Sequence, residues 1–182
     1  MDEGDLRLVR EFVNTRDIEA GTDDLSTPAD LTRWLREHGL GGSEASRRDL
    51  AEAVTLREAI RTLLEVNHDR TGGPESAEAA ATLTAAARRF DLHAEFTADS
   101  VWRLAPGGSG VEAGLGGLVA LITQAMSAGT WRRLKVCRND ACRWAFFDTS
   151  RSGAGKWCSM AVCGNREKAR AWRARQRVGG PG

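Results

Sequence analysis

The sequence predicts an α+β protein: a mostly α-helical amino-terminal domain over residues 1–130 with a small β-hairpin, then a small module over 131–178 ending in a basic helix, and a flexible tail over 179–182. Three observations predict it. Apolar residues in the first 130 positions recur mainly at helical spacing. Charge divides at the same place, since residues 1–130 hold 13 Lys and Arg against 22 Asp and Glu, a net −9, and residues 131–182 hold 13 against 3, a net +10. All four cysteines lie between 137 and 163, in a segment too short to fold well without a staple.

Element by element, Leu6, Val9, Phe12 and Val13 suggest a first helix, although a short strand through Leu8–Phe12 also fits. Ser26-Thr27-Pro28 starts a helix over Ala29–His38 that turns Leu31, Trp34 and Leu35 inward and stops at Gly39. A longer helix opens near Ser43 and Glu44 and reaches about Asn67, with Leu50, Val54, Leu56, Ile60, Leu63 and Leu64 as its stripe. An alanine-rich helix follows over Glu75–Arg89. Leu92–Phe96 alternates with period two and can pair with Val101–Ala105 as the hairpin. The helix Val111–Ala128 carries Leu115, Leu118, Val119, Ile122, Ala125 and Met126 toward the core, and Gly114, Gly116 and Gly117 allow close approach of a neighbour.

A hydrophobic content of 41% with 28% charged residues excludes collagen-like, simple coiled-coil and disordered classes. The longest apolar run, Leu118–Ile122, is far below the roughly 20 residues of a membrane span, and the acidic start through Asp2, Glu3 and Asp5 is unlike a signal peptide. A cytoplasmic protein with no membrane partner is expected.

The cysteines are spaced Cys137-x4-Cys142-x15-Cys158-x4-Cys163. In a chain without secretion signals, two close pairs favour one tetrahedral zinc over disulfides; a redox pair fits poorly, because the intervening residues number four rather than two. Four thiolates leave no open coordination position, so the expected Zn²⁺ is single and structural. Trp144–Asp148 reads as a strand, Ser152–Gly155 as a turn, and Cys163 stands at the start of a long helical run. On that helix Arg166, Arg170, Arg173 and Arg177 are spaced 4, 3 and 4 and share a face, while Ala169 and Trp172 can lean on the zinc module. With Arg151, Lys156, Lys168 and Arg175 they form the footprint expected of a phosphate-binding surface, and DNA is the expected partner. A solvated basic tail is the plainer alternative. Trp144, Phe146 and Phe147 could stack RNA bases, but they sit where the module needs its own core.

Cys163-Gly164-Asn165-Arg166, with Phe147–Arg151 and Trp157–Met160 around it, closely resembles the CGNR zinc-finger family. Phe12–Thr15 and Thr27–Leu31 resemble the ABATE domain that precedes that finger. Together the two resemblances span nearly the whole chain. They imply a treble-clef-like finger, zinc at Cys137, Cys142, Cys158 and Cys163, nucleic-acid contact by the basic helix, and a stress-induced transcription regulator.

For the acidic domain, Asn14, Thr15, Trp34 and Arg57 lie beside apolar stripes and are candidates for a small-effector pocket, though such residues are more often caps or satisfied core groups. His38, His68 and His93 are isolated, no G-x-S-x-G or Walker-type loop occurs, and Gly107–Gly110 lacks the lysine a phosphate cradle needs, so no enzyme is expected. The leading expectation is a zinc-containing DNA-binding regulator whose first domain senses an effector or forms a homodimer. Its rival is a protein-interaction module without DNA contact. In either case the −9 domain is expected to stand away from the phosphates.

Overall fold

The computed structural model describes residues 3–68, 71–99 and 101–178, so the expected tail over 179–182 lies outside the described residues. Helix α1 (Glu3–Val13) settles the first ambiguity: Leu6, Val9, Phe12 and Val13 are all buried, which the 3.6-residue repeat achieves and a strand would not. A minimal hairpin follows, β1 (Arg16–Asp17) with β2 (Thr22–Asp23), too short to leave a periodic signal in the sequence. Helix α2 (Pro28–Glu37) starts on a capping box in which Thr27 and Asp30 satisfy each other's backbone N–H groups.

Helix α3 (Arg47–Val66) begins a few residues later than the sequence suggests. Ser46 and Asp49 form its capping box, whereas the Ser43 hydroxyl accepts from the Val111 N–H at the start of another helix. Helix α4 (Pro74–Arg89) buries Ala79, Leu83 and Ala86. Strands β3 (His93–Phe96) and β4 (Trp102–Ala105) pair antiparallel, with Phe96 opposite Trp102 and both exposed. Helix α5 (Gly110–Ser127) is the central element. A Cβ at Gly114 would lie 2.3 Å from the Leu40 carbonyl oxygen, and one at Gly116 would lie 2.5 Å from Pro106, so both positions need glycine for packing. Met126 departs from expectation: it is 44% exposed, at the edge of an open cavity that it lines with Leu63, Val66 and Trp131.

The core does not stop where the charge changes sign. A 3-10 turn (Trp131–Arg133) leads into β5 (Leu134–Val136), which pairs antiparallel with β6 (Ala145–Phe147). Trp131, Leu134, Val136 and Ala145 are buried in one cluster with the helices. The Asn67 amide at the end of α3 donates to the carbonyls of Trp131 and Leu134, at 3.0 and 2.8 Å. At the end of α1, Asn14 pairs with Ala145 like a short strand edge, donating to its carbonyl at 2.9 Å and accepting from its N–H at 2.8 Å. The hairpin that carries the first cysteine pair is thus built into the helical core. Helix α6 (Asn165–Val178) closes the described chain and packs mainly on the π-helical turn Met160–Gly164 before it.

Candidate metal centre and basic helix

Cys137 follows β5, Cys142 ends the loop before β6, Cys158 ends the long loop after β6, and Cys163 lies in the π-helical turn that enters α6. The loop Arg138–Ala141 is held by its own groups: Asn139 Oδ1 accepts from the Ala141 N–H, and the Asn139 carbonyl accepts from Cys142 and Arg143. The Asn139 amide also lies 3.8 Å from Cys163 Sγ, tying the two halves together. Ser159 repeats the device in the second half, its hydroxyl accepting from the Val162 N–H.

All four Sγ atoms fall within 4.8 Å of one another. Bonds of about 2.3 Å to a single tetrahedral ion place ligand sulfurs about 3.8 Å apart. Cys142 Sγ is 3.7 Å from Cys158 Sγ, which is 3.8 Å from Cys163 Sγ, and all four cysteines are free. Burial pushes the Cys142 thiol up to about 11, aided by Cys137 and Cys163 and opposed by hydrogen bonds with the Trp144 backbone and Cys158, and burial raises Cys158 too, with the neighbouring sulfurs adding to it. Burial opposes ionisation of Cys163 as well, but hydrogen bonds from Cys137, Cys142, Cys158 and Asn139 outweigh it and draw that thiol below its usual value. Four sulfurs so crowded repel one another as thiolates unless a cation lies between them, so the donor set fits a thiophilic metal ion.

The loop 149–157 has an internal staple. Lys135 and Asp148 are buried, and Lys135 Nζ donates to Asp148 Oδ2 at 2.8 Å and to the Gly153 carbonyl at 2.5 Å. Asp148 also accepts from the N–H groups of Ser150 and Gly155. A Cβ at Gly155 would lie 2.6 Å from Asp148 Oδ1, a carboxylate locked on several sides, so the turn requires glycine there. Burial alone would raise the Asp148 carboxyl, but Lys135 and the Ser150 and Gly155 donors hold it well below the ordinary carboxylate value. Its contribution to stability is therefore complete above its unfolded pKa near 4 and is lost as pH falls toward the depressed folded value. Melting curves between pH 5 and pH 2 are expected to fall more steeply for the native chain than for Asp148→Asn, and equal slopes would refute this role.

The four residues named as effector candidates have structural partners. Asn14 is committed to Ala145, and Thr15 donates to the Phe12 carbonyl while accepting from Arg57. Trp34 stacks on His38 at 4.1 Å between ring centroids. Arg57, fully buried, grips Asp23 with two hydrogen bonds of 2.7 and 2.8 Å. Asn14, Thr15 and Trp34 nevertheless line one open groove of about 390 Å³ together with Arg10, Trp144 and Cys158; Arg57 is not part of it.

Sequence reasoning missed Arg61. It is 1% exposed, pairs with Glu58 at 3.1 Å, and donates to the carbonyls of Val13, Arg16 and Arg143. Arg143 itself has a left-handed φ of +49° and an ion pair with Glu65. The signal was present, because Arg57 and Arg61 stand four apart on the same stripe as Leu56, Ile60 and Leu64.

Among the expected DNA contacts, Arg151, Lys156, Arg166, Lys168, Arg170, Arg173 and Arg175 are all exposed, and the Arg177 side chain lies outside the described ones. Two of them are already engaged: Arg170 with Glu167, and Arg166 with Glu19 of the acidic domain at 2.5 Å. The −9 domain therefore does not stand clear of the helix but touches its root. Ala169 and Trp172 do not lean on the zinc module either. Trp172 is 57% exposed, because α6 runs away from the body after its first turn.

Among the described residues no helix is long and apolar enough to cross a membrane. Residues 133–176 match the family model of the CGNR zinc finger. Residues 6–129 match that of ABATE, described as "Putative stress-induced transcription regulator". No curated protein matches the chain. With four cysteines gathered around one point, a helix leaving that point, and two matches that together span most of its length, the chain belongs to the ABATE family and carries a CGNR zinc finger.

Proposed function

We propose that the protein is a cytoplasmic, non-catalytic transcription regulator in which one structural Zn²⁺ per chain, held by Cys137, Cys142, Cys158 and Cys163, supports a basic helix that binds DNA. The observation that carries this reading is the placement of α6: a 14-residue helix projecting from the cysteine cluster, with its described cations exposed. Zinc supplies no reaction here; with four thiolates it crosslinks two strand ends, a loop and a helix entrance. One finger reads few bases, so pairing of two chains through the helical domain belongs to the same reading. A small effector would have its seat in the groove beside Cys158, where it touches both the acidic domain and the finger.

Neutralising four to six phosphates gives a slope of roughly −4 to −5 in log affinity against log salt. Binding of the purified chain to duplex DNA is expected to follow that slope. Changing Arg170 and Arg173 together to Glu is expected to weaken it at least tenfold at low salt. Fluorescence anisotropy over several salt concentrations checks both, and native binding that is absent or indifferent to the double change sinks the DNA reading. In that event an acidic protein partner becomes the better account, met by the exposed cations of α6 with Met160, Val162 and Trp172 as apolar contacts.

A further inference from the structure

Helix α6 has two sides that differ in more than charge. At 3.6 residues per turn, Glu167 and Ala171 share one side, and they are its half-buried positions among the described residues. The opposite side carries Ala169, Trp172 and Gln176, all exposed. On one flank of that outward side lie Arg166, Arg170 and Arg173; on the other lie Lys168 and Arg175. Among the described residues the side chains of Lys168, Arg173, Arg175 and Gln176 have no hydrogen bond or ion pair, so each flank offers a free cation and the centre offers a free amide.

A cationic flank on each side of a mixed amide and apolar centre matches the cross-section of a B-DNA major groove, which is about 12 Å wide with phosphates along both walls. A helix of 14 residues spans about 21 Å, enough to follow the groove over several base pairs. The central residues suit the groove floor. A Gln side chain can both accept from the adenine 6-amino group and donate to N7, Ala169 allows the backbone close, and the Trp172 indole gives the thymine methyl an apolar surface. The amide of Asn165, on the same side at the root, is already spent on the Ala161 carbonyl.

We infer that α6 is a recognition helix for double-stranded DNA, in which Gln176 and Trp172 read an A·T pair from the major groove while the two cationic flanks hold the opposing phosphate walls. This rests on the DNA reading above and adds to it which residues confer sequence preference and which merely position the helix. It also accounts for Trp172, a large apolar side chain left in water midway along the chain's most cationic element.

The test is selection of bound duplexes from a random library by the full-length protein, followed by affinities on the selected site and on a version with the central A·T pair replaced by G·C. The native chain is expected to enrich a site containing that pair and to prefer it about 5- to 150-fold, the range a bidentate base contact gives. Gln176→Ala should bring that ratio close to one, and Trp172→Ala should lower it. Lys168→Gln should keep the ratio and reduce the salt slope by about one. All three positions are exposed on a projecting helix, and circular dichroism verifies that the variants are folded. DNA binding with the same preference in the native chain and in Gln176→Ala overturns this inference and leaves the DNA reading standing. Recovery of no duplex overturns both.

Discussion

Changing Cys163 to Ser is expected to remove the metal from the protein and the order from residues 156–178, while the helical core and the loop stapled by Lys135 and Asp148 stay folded. Cys163 is 1% exposed and lies where the second cysteine pair enters α6. The cluster around it is small: Cys137, Cys142 and Cys163 with Trp157 and Cys158 packed against them. So little apolar surface cannot hold some 20 residues in place, whereas structural zinc sites supply roughly 10–16 kcal/mol in isolated fingers. Order should be lost unevenly. The β5–β6 hairpin belongs to the main core and is clamped by Asn14 and Asn67, so its amides should remain protected from hydrogen exchange when those of α6 do not. Elemental analysis should give about one zinc per native chain and far less in the variant. Zinc retained in full, or zinc lost with the finger unchanged, would show that the four cysteines do not form a structural site.

Arg61→Ala should be the costliest change outside the cysteines. It removes a buried guanidinium that serves the carbonyls of Val13, Arg16 and Arg143 and pairs with Glu58. The buried Val13 carbonyl left without a donor costs about 1–3 kcal/mol, the part-buried Arg16 and Arg143 carbonyls cost less, and the vacated volume adds to that. A total of about 3–5 kcal/mol is expected, which for a chain of this size lowers the melting temperature by on the order of 10 °C. Lys cannot reproduce the planar fork, so Arg61→Lys should recover only part of the loss. The effect should also reach the metal. Arg143 follows Cys142 directly, and its carbonyl is fixed by Arg61. Freeing that segment should weaken zinc retention about tenfold or more, as loss of other supporting contacts around metal ligands does. Thermal melts and competition with a chelator check the two parts separately. A melting change of only a degree or two would show that Arg61 is not the link between the core and the first cysteine pair.

The ion pair between Arg166 and Glu19 gives the charge asymmetry a different meaning from a simple separation of acidic and basic bodies. Both side chains are about half exposed, so the pair is weak and salt-sensitive. In the DNA reading proposed above, a phosphate competing for Arg166 would first have to displace this carboxylate of the chain itself.

Most of the secondary structure was legible because local signals agreed. Thr27-Pro28 marked the start of α2, the alternation from Leu92 marked β3, and the apolar stripe marked α5. Capping misled the reading at α3, where Ser43 and Ser46 are both plausible caps and only the contact with Val111 distinguishes them. The lean of Trp172 on the zinc module failed because helical spacing gives the direction of a side chain and not the presence of a neighbour.

By itself the sequence determined the α+β class, the order of helices and hairpin, the four cysteines as one group, and the basic helix after them, since each depends on spacing along the chain. Only the tertiary structure decided that the acidic body and the finger share a core, that Arg57 and Arg61 are buried links, that Asn14 serves the finger's strand, and which side of α6 faces outward. Those facts depend on contacts between residues far apart in sequence, such as Asn14 with Ala145 and Arg61 with Arg143, and no local periodicity encodes them. The physical reason lies in burial. A strand as short as Leu134–Val136 cannot cover its own faces, so its place is set by whichever surface the helices leave open.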